Sequence, residues 1–76
     1  MNKARRKALN ELSKKIDEIR SDLQMLMDSE QESFDNLPES IQNGEKGDMM
    51  QSAIDQMSEA DEALQTAIDC IMTAQE

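Results

Sequence analysis

Alanine recurs at every seventh position along the last part of the chain. The four positions are Ala53, Ala60, Ala67 and Ala74. A seven-residue repeat keeps side chains on one stripe of an α-helix, and alanine in that stripe lets a second helix come close. The repeat therefore predicts a long helix that packs at short distance against a neighbouring helix.

Two columns of mostly larger residues run beside the alanines. They consist of Ile54, Asp61 and Ile68, and of Met57, Leu64 and Ile71. Because the repeat continues without a break, it predicts a helix over about residues 48–75. Its start is expected between Gly44 and Asp48. Asp48 with Gln51 is typical of a capping box, whereas Asn43 as the cap would make the helix one turn longer.

A first helix, in the N-terminal part of the chain, is predicted from apolar residues that recur at intervals of three and four. Its expected span is about residues 2–35, with Asn2 as the N-cap. The residues expected to form the core of the hairpin are Leu9, Leu12, Ile16, Ile19, Leu23, Leu26 and Phe34.

The segment 36–47 is predicted to connect the two helices. Pro38 disfavours an α conformation at Leu37 and suits the first position of a new turn. A short helical turn is therefore expected at 38–42.

This connection is longer than the roughly 2–8 residues usual between the helices of a bundle. Gly44 and Gly47 are typical of turns. Two interpretations remain: a compact hydrophobic cap, which we favour, and a tip that binds a partner through Leu37 and Ile41.

The predicted fold class is all-α, with an antiparallel two-helix hairpin as the single domain of residues 1–76. The second helix has three columns of repeated residues, whereas the first has two, so one neighbour leaves part of the wider face uncovered. A second copy of the hairpin would cover it and form a dimeric four-helix bundle. The residues expected at the dimer or helix–helix interface are Ala53, Ile54, Met57, Ala60, Leu64, Ala67, Ile68, Ile71 and Ala74.

Asp61 stands where the repeat calls for isoleucine. One interpretation is a buried polar residue that sets the register of the helices. The other places Asp61 at the solvated edge of the contact. The cost of burying an unpaired carboxylate favours the second interpretation.

Charge is segregated along the chain, whose net charge is −9. Six of the eight basic residues lie within residues 1–15, and sixteen of the seventeen acidic residues follow. The cluster of Lys3, Arg5, Arg6 and Lys7 is expected to overhang the paired helices. It has three interpretations: neutralising the acidic C-terminal end of the second helix, which we favour, binding an acidic protein surface, or binding nucleic acid.

The chemistry available to the chain argues against an enzyme. Histidine is absent, and Cys70 is the only cysteine, so we expect no cofactor, no zinc site and no internal disulfide. We expect the protein to be soluble and cytoplasmic, since no apolar run reaches the length of a membrane span.

Glu32–Gln42, ESFDNLPESIQ, followed by GEKGD and the repeated AID segment, resembles small acidic helical-hairpin proteins of bacteriophages and prophages. The resemblance covers about residues 28–72. It implies a phage or prophage origin, hence a host bacterial cytoplasm, and a helical form; the function of such proteins is unassigned. Gly44 departs from the polar capping residue expected there.

The leading functional hypothesis is a non-enzymatic protein–protein interaction module. If the chain is phage-encoded, it would inhibit a host or defence protein through acidic surfaces that imitate a nucleic-acid backbone. The alternatives are a structural or assembly coiled-coil protein, and a sponge that captures a nucleotide-like anion with the N-terminal arginines. The expected partners are a second copy of the chain and a bacterial protein.

Overall fold

The computed structural model describes all 76 residues and contains three helices and no strand. They are α1 (Lys3–Asp35), α2 (Glu39–Gln42) and α3 (Glu45–Ala74). Helices make up 88% of the chain. The predicted all-α class is confirmed, and the elongated arrangement of α1 beside α3 agrees with a helical hairpin.

The molecule is a rod with dimensions of 58 × 15 × 11 Å. The two long helices lie side by side along it. The hairpin is thus one helix thick. No apolar side chain is fully buried, because nothing covers the two broad sides of the rod.

Helix α1 begins at a well-formed cap. The Asn2 side chain accepts a hydrogen bond from the backbone N–H of Arg5 at 2.8 Å, which satisfies one of the free donors of the first turn. The helix ends at Asn36, two residues before Pro38. Pro38 in turn precedes α2, the short helical turn expected at 38–42.

Helix α3 begins three residues before the expected start at 48. Its N-cap is Gly44 in an extended conformation, and the Gly44 carbonyl accepts the backbone N–H of Asp48 at 3.0 Å. The predicted capping box at Asp48 is therefore wrong. Glu45 and Asp48 lie in the first turn instead, where their negative charge interacts favourably with the helix dipole.

Gly47 belongs to the helix and not to the turn, which corrects the sequence-based interpretation. It is one of only two buried residues in the chain. A Cβ atom at this position would lie 1.9 Å from the carbonyl oxygen of Gln42. The Gln42 side chain donates hydrogen bonds to the carbonyls of Phe34 at 3.0 Å and Asp35 at 3.4 Å. Gln42 therefore ties α2 to the end of α1 while its backbone rests on Gly47.

The contact face of α1 differs from the expected one. Leu9, Ile16, Leu23 and Phe34 are half-buried, as a core position requires. The other predicted core column is wrong for the hairpin: Leu12, Ile19 and Leu26 remain 48%, 54% and 63% exposed. The residues of α1 with reduced exposure that recur at intervals of three and four, which we call its contact face, are Leu9, Ser13, Ile16, Arg20, Leu23, Met27, Glu30 and Phe34; Gln31, beside Glu30, is also partly covered.

The contact face of α3 keeps the two columns of larger residues and leaves most of the alanines outside. Ala53, Ala60 and Ala74 are exposed, and only Ala67 is partly covered. Most of the alanines are thus not at the contact between α1 and α3. The residues of reduced exposure that recur at intervals of three and four form the contact face of α3 and its C-cap, and they are Gly47, Met50, Ile54, Met57, Asp61, Leu64, Ile68, Ile71 and Gln75. Four residues at the margins of this face are also partly covered: Gln51, Ser58, Gln65 and Ala67.

Ser13 is buried on the contact face with its hydroxyl oxygen unpaired. Replacing Ser13 with alanine should raise the free energy of unfolding by about 1 kcal/mol, because it removes an unsatisfied hydroxyl and improves helix propensity. Urea denaturation measures the change. The control Ser21→Ala, at an exposed position of the same helix, should gain only the propensity part, about 0.5 kcal/mol. Equal gains in the two variants would contradict a cost at the Ser13 hydroxyl.

Candidate interaction surfaces

The middle of the contact between α1 and α3 is polar. Arg20 on α1 forms an ion pair with Asp61 on α3, with 3.0 Å between Nε and Oδ1. Its Nη2 reaches the other carboxylate oxygen at 3.5 Å, and its Nη1 donates a hydrogen bond to Gln65. Both side chains of the ion pair are only 19% exposed. Asp61 is therefore paired inside the contact face, and the interpretation that placed it at the solvated edge is wrong.

Neighbouring side chains complete this polar cluster. Gln24 donates to both oxygens of Asp61 at 3.4 Å, and Asp17 lies 3.8 Å from Nη1 of Arg20. Gln65, which accepts from Arg20, donates in turn to Asp69 at 2.9 Å. An Arg–carboxylate pair has a fixed geometry, and the cluster therefore favours one register between the helices.

The ion pair changes the acidity of both groups. The hydrogen bond from Arg20 holds the pKa of Asp61 below its ordinary value of 3.8, although partial burial opposes the shift. The hydrogen bond to Asp61 raises the pKa of Arg20, so that Arg20 stays charged at all ordinary pH values.

The lowered pKa of Asp61 predicts a pH-dependent loss of stability. A carboxyl group with a lower pKa in the folded state stabilises the fold above its unfolded pKa and loses that contribution as the pH falls. Asp61→Asn should therefore melt below the parent protein at about pH 7, and the difference should disappear towards about pH 2. Thermal unfolding followed by circular dichroism measures it. Asp55→Asn, at an exposed residue without an ion pair, controls for removing one surface charge; a difference for Asp61→Asn that does not depend on pH would contradict the prediction.

The hydrogen bonds of the polar cluster show which residues lie on each broad side of the hairpin. Gln24 and Gln65 each directly follow a residue of a contact face, and both reach the same ion pair. Residues that directly follow contact-face residues therefore lie on one broad side of the hairpin, and residues that directly precede them lie on the other. The first of these sides is polar.

Apolar residues recur every seven positions on the other broad side of the hairpin, each directly before a residue of a contact face. On α1 they are Leu12, Ile19 and Leu26; on α3 they are the alanine column, and we call the two columns together the apolar face. Other residues that precede a contact face, such as Lys15, Asp22 and Gln56, are polar. The members of the apolar face are Leu12, Ile19, Leu26, Ala53, Ala60, Ala67 and Ala74. This face runs along one broad side of the rod and stays largely exposed, although Ala67 is partly covered. Large apolar patches on a soluble surface mark interaction sites more often than isolated apolar residues do.

The two ends of the rod carry opposite charge. One end holds the basic cluster of Lys3, Arg5, Arg6 and Lys7. All four are exposed, and they precede Leu9, the first half-buried residue of α1. The other end, around α2, carries seven acidic residues and one basic residue, Lys46. The acidic residues of this end are Asp28, Glu30, Glu32, Asp35, Glu39, Glu45 and Asp48.

The basic cluster forms no ion pair within the chain, since Arg20 makes both ion pairs of the structure. The favoured interpretation was that the acidic C-terminal end of α3, with Asp69 and Glu76, neutralises this cluster. No direct contact supports it. Its four positive charges are left available to another molecule.

Leu37 and Ile41 belong to the acidic end, around α2. Leu37 is half-buried there, whereas Ile41 is 39% exposed. Cys70 is exposed. The structure contains no pocket and no group of three potential metal ligands, and neither long helix has an apolar stretch that could span a bilayer.

Arg20 is the residue that sequence reasoning missed. It follows Ile19 within an amphipathic helix, so a search for apolar periodicity passes over it. The available signal was the pairing of opposite charges: Arg20 on α1 and Asp61 on α3 both lie near the middle of their helices. In an antiparallel hairpin these positions fall at the same level.

Comparisons with protein-family models, with curated proteins and with solved structures find no match to this chain.

Proposed function

We propose that the protein is a non-enzymatic interaction module that works as a homodimer. In this proposal two hairpins bury their apolar faces against each other and present their acidic surfaces to another protein. The observation that carries it is the uncovered apolar face on a rod that has no fully buried apolar side chain.

The first support for a dimer is the incomplete core. A chain of this size gains limited stability from burial, and small domains often add a second subunit. The three large residues of the apolar face, Leu12, Ile19 and Leu26, are about half exposed in the hairpin. Covering the exposed part of each stabilises a dimer by about 1 kcal/mol, so six such residues across two copies contribute roughly 6 kcal/mol. The alanines add contact by letting the helices come close.

The second part of the proposal concerns the acidic surface. Of the seventeen acidic residues, only Asp17 and Asp61 take part in ion pairs, and most of the others are exposed. A rigid rod with this charge complements a basic protein surface, including one that ordinarily holds a nucleic-acid backbone. Together with the resemblance to phage proteins, this supports a role as an inhibitor of a host or defence protein.

Substituting the apolar face should separate the dimer. We expect the parent protein to sediment as a dimer at about millimolar concentration, and Leu12→Gln/Ile19→Gln/Leu26→Gln to sediment as a folded monomer, because polar side chains remove the gain from burial. Sedimentation equilibrium gives the mass, and circular dichroism verifies the helices. The control Met25→Gln/Met72→Gln changes two exposed apolar residues outside the face and should remain dimeric. A monomeric parent protein would refute the dimer.

Binding to a basic protein is tested with the immobilised dimer in bacterial lysate. We expect it to retain proteins that bind nucleic acids, and expect both salt and a duplex DNA fragment to elute them. A variant with Asp55→Asn, Glu59→Gln and Glu62→Gln, all exposed on α3, should retain less. Empty eluates at low salt would count against this function, and discrete higher oligomers without a bound protein would favour a purely structural role.

A further inference from the structure

We infer that the two copies pack antiparallel. The two-fold axis is perpendicular to the rod and lies between the two apolar faces, at the level of Ile19 and Ala63. The inference rests on the proposed homodimer and adds its geometry: α1 would lie on α1 of the second copy, and α3 on α3. Three features of the structure lead to this arrangement.

The first feature is the internal symmetry of the apolar face. Ile19 stands midway between Leu12 and Leu26 on α1. On α3 the four alanines are centred between residues 63 and 64, and Ala63 is itself exposed beside them. A two-fold axis at these centres places Leu12 against Leu26 of the second copy, and Ala60 against Ala67 of the second copy.

The second feature is that both centres lie at one level of the rod. Arg20 contacts Asp61 at 3.0 Å and also donates to Gln65. Residue 20 of α1 is therefore level with residues 61–65 of α3, and Ile19 is level with Ala63. A single axis perpendicular to the rod can serve both columns at once, which a closed dimer with identical contacts requires.

The third feature, charge, selects between the two possible two-fold arrangements. An axis parallel to the rod would bring the two basic ends together and the two acidic ends together. An axis perpendicular to the rod places the basic end of each copy beside the acidic end of the other. Along α1 this arrangement brings Lys3 near Asp35 of the second copy, and Arg6 near Glu32 of the second copy. Opposite charges attract in this arrangement, whereas like charges repel in the other.

The same rotation brings two exposed charges together beside the apolar face. Lys15 and Asp22 each lie three residues after a large residue of the face, and neither forms an ion pair within the chain. The axis at Ile19 places Lys15 next to Asp22 of the second copy, and this contact occurs twice. The basic cluster, unpaired in the hairpin, also acquires acidic neighbours.

Disulfide cross-linking tests the axis. In a Cys70→Ser background, Ala63→Cys should form a disulfide between two copies under mild oxidation. A residue on the axis lies next to the same residue of the second copy, within the roughly 4 Å between Cβ atoms that a disulfide needs. Ile19→Cys should do the same on α1. The control Ser52→Cys, exposed on nearly the same stripe of α3 but about 17 Å along the helix from the axis, should not cross-link. With the axis parallel to the rod, α1 would face α3 of the second copy, and only a variant carrying both Ile19→Cys and Ala63→Cys would cross-link.

A charge exchange provides an independent measurement. Lys15→Glu should weaken the dimer about fivefold through two repulsive contacts, and Lys15→Glu/Asp22→Lys should restore the parent affinity. A protein that sediments as a dimer but forms no disulfide at 63 or at 19 overturns the antiparallel arrangement and leaves the proposed function intact. A parent protein that sediments as a monomer overturns both.

Discussion

Gly47→Ala is expected to lower the free energy of unfolding by about 3 kcal/mol, although alanine is a better helix former than glycine by about 1 kcal/mol. The reason is the backbone of Gln42, whose carbonyl oxygen, carbonyl carbon and Cα lie 1.9, 2.5 and 2.8 Å from the place of the added Cβ. These are backbone atoms, so no side chain can rotate away. The end of α2 must move, and with it the hydrogen bonds from Gln42 to the end of α1.

Urea denaturation measures this loss, and Gly44 offers the matched control. A Cβ atom at Gly44 would be 3.5 Å from the nearest backbone atom, an ordinary contact. Gly44→Ser also supplies a side-chain oxygen at the N-cap of α3, where Gly44 has none. We expect Gly44→Ser to raise the free energy of unfolding by about 0.5 kcal/mol. A Gly47→Ala variant as stable as the parent would show that α2 does not need to rest on α3.

Arg20→Glu is expected to destabilise the hairpin more than any other single change of charge. It replaces the cation of the polar cluster with a second carboxylate opposite Asp61, at a position where both parent side chains are only 19% exposed. Water therefore screens the repulsion incompletely, and Asp17 lies close on the same helix. Circular dichroism during heating should show a lower melting temperature and, at about neutral pH, a loss of helix.

The second half of this experiment is the exchanged pair. Arg20→Glu/Asp61→Arg should recover much of the lost melting temperature, because the ion pair is restored with its direction reversed. Lys14→Glu makes the same change of charge at an exposed position of α1 and should have a small effect. If Arg20→Glu melts at the same temperature as Lys14→Glu, the polar cluster does not hold the helices together.

Most of the helical structure could be predicted, because its signals are local. The N-cap at Asn2 and the turn at Pro38 lie within a few residues of the features they determine. The start of α3 at Glu45 lies within the expected range of Gly44 to Asp48, but the capping box at Asp48 was wrong. Gly47 is typical of a turn when read locally, whereas its place inside α3 follows from the close passage of Gln42.

The surfaces were predicted only in part. The apolar columns on both helices were recognised, but the column of Leu12, Ile19 and Leu26 was wrongly assigned to the hairpin core. Apolar periodicity counts only apolar residues, and so it passed over Ser13 and Arg20 on the actual contact face of α1. A polar residue enters such a face when a partner on the other helix compensates it, as Asp61 does for Arg20.

Residue spacing along the chain is enough to predict two long helices with a short turn between them, and which stripes of those helices are apolar. These properties depend on the spacing of residues a few positions apart. Which stripe of α1 meets α3, and which stripe stays open, follows from the packing of the two helices. Rotation of a helix about its own axis leaves all its internal hydrogen bonds unchanged, so the choice depends on contacts between residues far apart in the chain: Arg20 with Asp61, and Gln42 with Gly47.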